Sequence, residues 1–381
     1  MPTYQCTAAC KHCGSYSGPK VNQWLDPDLM LAGIDQAIDA GYKVVVFTGG
    51  EPTLAGETLL RGIRLASSRG VCTRVVTNAW WATGEEAADA KLKELIDAGL
   101  VEINFSTGDE HARFVPVDNV LWACRAAAKI PLKTIVVMVE TVAARTITSQ
   151  TLFNHPQYRQ IRREFPRANV RVIQSPWMPI SPQMTTQYPD GMATVKKNLP
   201  AHTGCTSCLR TTTLGADGRI GVCCGLGMRS IPELQVGRIG EITIAEADRL
   251  GEDDFLKRWI QVEGPERILA WAATKDPEIQ WEGMYAHRCQ SCMRLYKDPK
   301  VRQVIADHHQ EKMADVILGE FLLYEYDYAR ANDETAGEGA GSDEPWPFAI
   351  AENGEAAAGL DLPAAPAPVT TSQPESFPIV V

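Results

Sequence analysis

The chain has 381 residues, 45% of them hydrophobic, and a formal net charge of −10. That length suits two domains plus a tail, and no apolar run reaches the 18 residues of a membrane span. Nine acidic residues and no Lys or Arg lie between Ala331 and Val381. They leave the rest of the chain near −1, which gives no basic face for nucleic acid. With Cys6 so early, no signal peptide is expected, and the reading is a soluble cytoplasmic protein. Eleven cysteines in short-spaced clusters then point to metal binding rather than disulfides. Cys72 and Cys124 stand alone and read as small core residues.

Taken in order, the chain opens on Cys6-Thr-Ala-Ala-Cys10-Lys-His12-Cys13. Three cysteines on one tight loop can hold three irons of a [4Fe–4S] cube and leave the fourth open to a chelating ligand. Zinc is the alternative for Cys and His at such spacings, but no second close pair lies nearby. Asp26-Pro27 starts a helix that ends before Gly41. Lys43–Thr48 is a short β-branched run, read as a buried parallel strand, and it runs into Gly49-Gly50-Glu51-Pro52. Two glycines at a strand end let backbone groups approach a ligand closely. A helix near 56–69, a strand over 71–77 and a Thr83-Gly-Glu-Glu86 capping box opening the next helix follow. Strand 101–106, helix 118–129, strand 132–139, a helical region near 148–164 and strand 170–174 complete the series. This alternation implies parallel βαβ units with ligands at the strand C-terminal ends.

The open-iron loop followed by strand-Gly-Gly-Glu-Pro resembles the radical S-adenosylmethionine (SAM) superfamily. The resemblance implies an α/β fold, a (βα)6 partial TIM barrel over residues 1–199 whose first strand is very short. It implies that the fourth iron binds SAM and that Gly49, Gly50, Glu51 and Pro52 contact its amino group. Thr77-Asn78-Ala79 resembles the Thr-Asn-Gly that ends the third strand in family members, with Ala79 in place of Gly. Ser106-Thr-Gly108-Asp109-Glu-His111 resembles their Ser-Leu-Asp-Gly stretch, which places Ser106 near the SAM ribose. Trp80 and Trp81 either line the substrate pocket or pack beneath a helix.

Beyond Leu199 the alternation stops and cysteines return as Cys205-Thr-Ser-Cys208. Asp217-Gly218 between apolar residues is a hairpin signal that brings Cys223 back beside Cys208. The C-x9-G-x4-C spacing from Cys208 to Cys223 resembles the opening of SPASM and twitch domains. Cys289-Gln-Ser-Cys292 supplies a second pair after a helical stretch containing Trp259, Trp271 and Trp281. The resemblance implies a small cysteine-rich α+β domain over 200–330 with one auxiliary [4Fe–4S] cluster. Cys208, Cys223, Cys289 and Cys292 fit as ligands, with Cys205 as a further candidate and structural zinc as the alternative. Cys224 is either a catalytic hydrogen-atom donor or a thiol beside the cluster without a chemical role. The Ala-, Gly-, Pro- and Ser-rich segment 331–381 reads as a disordered acidic tail.

The expected function is reductive cleavage of SAM to a 5′-deoxyadenosyl radical, followed by hydrogen abstraction. The leading substrate is a peptide that becomes oxidised, crosslinked or epimerised, with a separate protein recognising its leader. The runner-up is dehydrogenation or epimerisation of a small molecule such as an aminosugar. A non-catalytic iron–sulfur scaffold is the reading from another class. The resemblance also implies an external flavodoxin- or ferredoxin-type reductant. No cobalamin-binding segment is evident.

Overall fold

The computed structural model describes residues 1–176, 178, 186–334 and 379–380. Its first half alternates as the apolar pattern requires. Helix α1 (Pro27–Asp39) is capped by the Asp26 carboxylate, which accepts from the Asp28 and Leu29 amides. Strand β1 (Val44–Phe47), helix α2 (Glu57–Ser68), β2 (Cys72–Thr77), α3 (Glu85–Asp97) and β3 (Glu102–Thr107) follow. The one-turn α4 (Asp109–Ala112), α5 (Val117–Ala128) and β4 (Thr134–Thr141) come next. Helices α6 (Ser149–Asn154) and α7 (Pro156–Glu164) lead to β5 (Val170–Pro176). Neighbours β1 to β5 pair in parallel in sequence order. Residues 1–176 thus form an α/β fold whose five-stranded parallel sheet is consistent with a radical SAM partial barrel.

Three details differ from the sequence reading. The first segment makes only isolated bridges, Thr3 to Gly49 and Gln5 to Gly18, because the chain bends at once into the cysteine loop. The Thr83 capping box does not form: Gly84 is the N-cap, with no side-chain cap bond. Burial of Trp81 and Ala82 fixes the approach, so Thr83 lies outside the cap position. The region 148–164 is two helices, because Pro156 cannot supply an amide to continue the first.

Each of β2 and β3 alternates between buried and half-buried residues. Val75, Ile103, Phe105, Ile135 and Val137 join the helices in the main core. The opposite face carries the half-buried Arg74–Glu102 ion pair (2.5 Å), Asn104, Ser106 and Met138. Strand β1 differs from these two: Val45, Val46 and Phe47 are all buried, so it is covered on both faces, as the apolar run at 43–48 suggested.

The second half has its own core, with Trp259, Ile268, Leu269, Tyr285 and Leu295 at its centre. Strands β6 (Thr211–Leu214) and β7 (Arg219–Gly221) form the expected hairpin, and β8 (Gln235–Arg238) pairs with β7. Helices α8 (Ile244–Glu252), α9 (Phe255–Glu263), α10 (Pro265–Lys275), α11 (Arg288–Lys297), α12 (Pro299–His308) and α13 (Met313–Glu334) follow. Trp259 and Trp271 meet edge to face at 4.9 Å, while Trp281 lies in the turn after α10. A two-residue strand β9 (Ile379–Val380) lies parallel between β1 and β6. The rest of the expected disordered tail, 335–378, lies outside the described residues, while α13 runs to Glu334. No helix among the described residues is long and apolar enough to cross a membrane.

Candidate active site

The cysteine loop is built against the end of β1. Gly50 N–H donates to the Thr3 carbonyl and Glu51 N–H to the Gln5 carbonyl, both at 2.8 Å. A Cβ on Gly50 would lie 2.0 Å from the Gln5 oxygen, so only glycine lets the segment before Cys6 pass this close. The approach that this glycine permits is thus made by the chain's own residues. Ser15 Oγ donates to the Gly49 carbonyl at 2.9 Å and lies 3.2 Å from Cys13 Sγ. The loop and the Gly-Gly-Glu-Pro strand end are one assembly.

Glu51 is fully buried, and burial pushes its carboxyl above the usual range. Its oxygens accept from Thr53 N–H and Oγ1, Thr77 Oγ1 and Asn78 N–H, which oppose that shift. Pro52 opens a buried 3-10 turn to Ala55. Asn78 Nδ2 donates to Thr7 Oγ1 at 3.0 Å and faces Cys6 Sγ at 3.7 Å. Ala79 takes the left-handed φ of 60°, which explains why a glycine would suit this position. Ser106 is half-buried on the open face of β3. Trp80 is partly exposed and donates to Thr53 Oγ1, whereas Trp81 is buried and donates to Thr77 Oγ1.

The three cysteine side chains are partly exposed. Cys6 Sγ accepts the Ala8 amide and Cys13 Sγ the Ser17 amide, both at 3.4 Å. Burial, with the neighbouring Glu51 and Cys13 charges, pushes the Cys6 thiol up to about 11. Cys10 is raised by burial and by both other cysteines. Three half-buried thiols close enough to repel one another as thiolates suit a cationic metal centre, which would release their protons on binding. The residues therefore fit an iron–sulfur cluster.

Sequence reasoning missed two carboxylates that hold this loop. Glu110 Oε1 accepts the Lys11 amide at 3.0 Å. Glu140 Oε2 lies 3.3 Å from His12 Nε2 and 3.0 Å from His111 Nδ1, and its other oxygen accepts the Glu110 amide. Burial, then His111, lowers His12 to about 4, so its ring is neutral. The available signal was a lone Glu ending the apolar run of β4.

The second cysteine site lies in the other core. Cys205, Cys208, Cys223, Cys224, Cys289 and Cys292 line one cavity with Arg288, Ile231 and Ile260. The hairpin brings Cys208 and Cys223 together, with Leu209 N–H donating to the Val222 carbonyl at 3.0 Å. Cys289 and Cys292 stand near the start of α11, which His287 caps, and burial helps push both thiols well above the usual range. Interaction among these neighbouring thiols holds Cys224 below the usual thiol range and Cys223 and Cys289 above it. Thus the structure gathers all six cysteines around one cavity.

Residues 1–150 match the profile of the Radical SAM superfamily. Comparison with curated proteins gave no match. Similar solved structures include BtrN in complex with AdoMet and 2-DOIA, at 14% identity and a TM-score of 0.41, over 70% of this chain and 87% of that one. Streptococcus suis SuiB bound to S-adenosylmethionine is 13% identical with a TM-score of 0.38, over 67% and 63%. TYW1 with a lysine-pyruvate adduct is 15% identical with a TM-score of 0.31, over 46% and 63%. Such distant likenesses add nothing to the assignment, which rests on the profile and the loop geometry. The likeness to the Radical SAM superfamily thus covers residues 1–150, the part of the chain that carries the cysteine loop and the Gly-Gly-Glu-Pro strand end.

Proposed function

We propose that this chain is a radical SAM enzyme that oxidises, crosslinks or epimerises a peptide side chain. The observation that carries the reading is Ser15, whose hydroxyl joins Cys13 Sγ to the Gly49 carbonyl and so makes one site of two separate motifs. Bound there, a [4Fe–4S] cluster with SAM supplies a 5′-deoxyadenosyl radical that takes hydrogen from the substrate. Cys6, Cys10 and Cys13 hold the cluster, Asn78 orients the Cys6 sulfur, and Gly49 to Pro52 receive the amino end of SAM. Ser106, on the open face of the sheet, is placed for the ribose. The half-buried Asn104 and Met138 on that face offer a wall for the substrate.

In this reading Cys208, Cys223, Cys289 and Cys292 hold an auxiliary [4Fe–4S] cluster, which would accept an electron from the substrate radical. The place of Cys224 in the lining of the second cysteine cavity supports the oxidative outcome over hydrogen donation from that thiol. A flavodoxin- or ferredoxin-type reductant and a separate leader-recognition protein complete the proposal.

Anaerobic reconstitution tests it. Wild type is expected to hold about eight irons per chain, and the Cys6, Cys10, Cys13 triple alanine variant about four. The reconstituted wild type should form 5′-deoxyadenosine with dithionite. Lack of that product would restore the scaffold reading, and turnover of a free small alcohol without peptide would sink the peptide assignment.

A further inference from the structure

The two cysteine sites are joined by one short piece of chain. Cys223 and Cys224 line the second site, and the residues after them run directly onto the first loop. A Cβ on Gly14 would meet the Leu226 carbonyl oxygen at 2.4 Å, so the backbone beside Cys13 is in contact with the backbone two residues after Cys224. Arg229 completes the contact. Its guanidinium donates to the Ser15 carbonyl and lies 3.4 Å from that of Tyr16. It also covers the ring of fully buried Tyr4 at 3.9 Å.

These contacts have one target. Ser15 is the residue whose hydroxyl connects Cys13 Sγ with the end of β1. Tyr4 lies two residues before Cys6, and its hydroxyl donates to Asp217 in the hairpin turn at 3.3 Å. A cation that holds the Ser15 carbonyl and stacks on Tyr4 grips the cysteine loop at its entry and its exit. The barrel grips the middle of the same loop through Glu110 and Glu140. The segment 224–229 contains Gly225 and Gly227, and its ends are fixed by the second-site cysteines and by Arg229. The same short segment therefore touches both sites: Cys223 and Cys224 at one end, Gly14 and Ser15 at the other.

We propose that Arg229 is a positioning residue for the first cysteine loop, and that segment 224–229 makes the geometry of that loop depend on occupancy of the second cysteine site. The part concerning SAM rests on the proposed radical SAM chemistry; the grip on the loop does not. Two experiments separate them. The first measures alkylation of Cys10 and Cys13 by iodoacetamide in the metal-free folded protein, mapped by mass spectrometry. Arg229→Ala should raise the rate about tenfold, the loss expected for a charge-assisted hydrogen bond. Arg229→Lys, which keeps the charge, should restore most of the protection. Equal rates in all three proteins would overturn the proposal, and circular dichroism with the Lys variant distinguishes loop release from unfolding.

The second experiment follows the EPR signal of the reduced first cluster during SAM titration in wild type, Cys292→Ser, Arg229→Ala and the double variant. The expected result is that each single variant weakens SAM binding about tenfold and that the double variant is no worse than either. Additive effects would overturn the coupling. If wild type takes up no iron, the radical SAM assignment of this chain fails, while the alkylation rates still decide the role of Arg229.

Discussion

Glu51 is usually read for what it offers a ligand, yet its carboxylate is spent on the fold. Four donors from Thr53, Thr77 and Asn78 converge on it. Glu51→Gln replaces one acceptor by an amide donor facing donors, and should cost about 1–3 kcal/mol, read by anaerobic urea unfolding. Asn78 acts differently, because its amide faces the Cys6 sulfur, a ligand of the proposed first cluster. A hydrogen bond to that sulfur favours the more negative reduced cluster. Asn78→Leu should therefore move the midpoint potential of the first cluster to lower values in a redox titration followed by EPR, with little change in iron content.

At the scale of elements, two threonines with similar sequence contexts behave oppositely. Thr148 caps α6 through a reciprocal bond with Thr151, whereas Thr83 caps nothing. Thr148→Ala should lose about 1 kcal/mol of stability, while Thr83→Ala stays within about 0.5 kcal/mol in the same denaturant assay. The contrast marks what the sequence makes legible. Periodicity and end signals locate the helices and strands of the first half, including the Asp26-Pro27 start and the hairpin at Asp217-Gly218. They do not carry the approach angle set by Trp81, nor the break at Pro156 within an otherwise continuous pattern. That the six later cysteines come together was legible from their spacing and the resemblance it carries. Glu110, Glu140, Ser15 and Arg229 were not, because their partners lie 99, 30, 34 and 214 residues away.

The described residues form two large apolar cores and a small third cluster around Met1, Tyr4 and Ala216, yet the boundary between the two large ones does not fall in a loop. Leu214 and Ile220 of the hairpin are buried in the first core, whereas Cys208 and Cys223 belong to the second. A chain division near residue 200 is therefore crossed by the hairpin itself. Its strands reach the first core while its ends close the second site. Two cores that share a strand pair cannot melt independently, since opening either one strips the hairpin of half its packing. The amides paired across Thr213–Gly221 and Leu214–Ile220 should therefore exchange with deuterium only through the global unfolding event. Removing metal from the second site should speed their exchange together with that of β1 and β2, and thermal melting should remain a single cooperative transition.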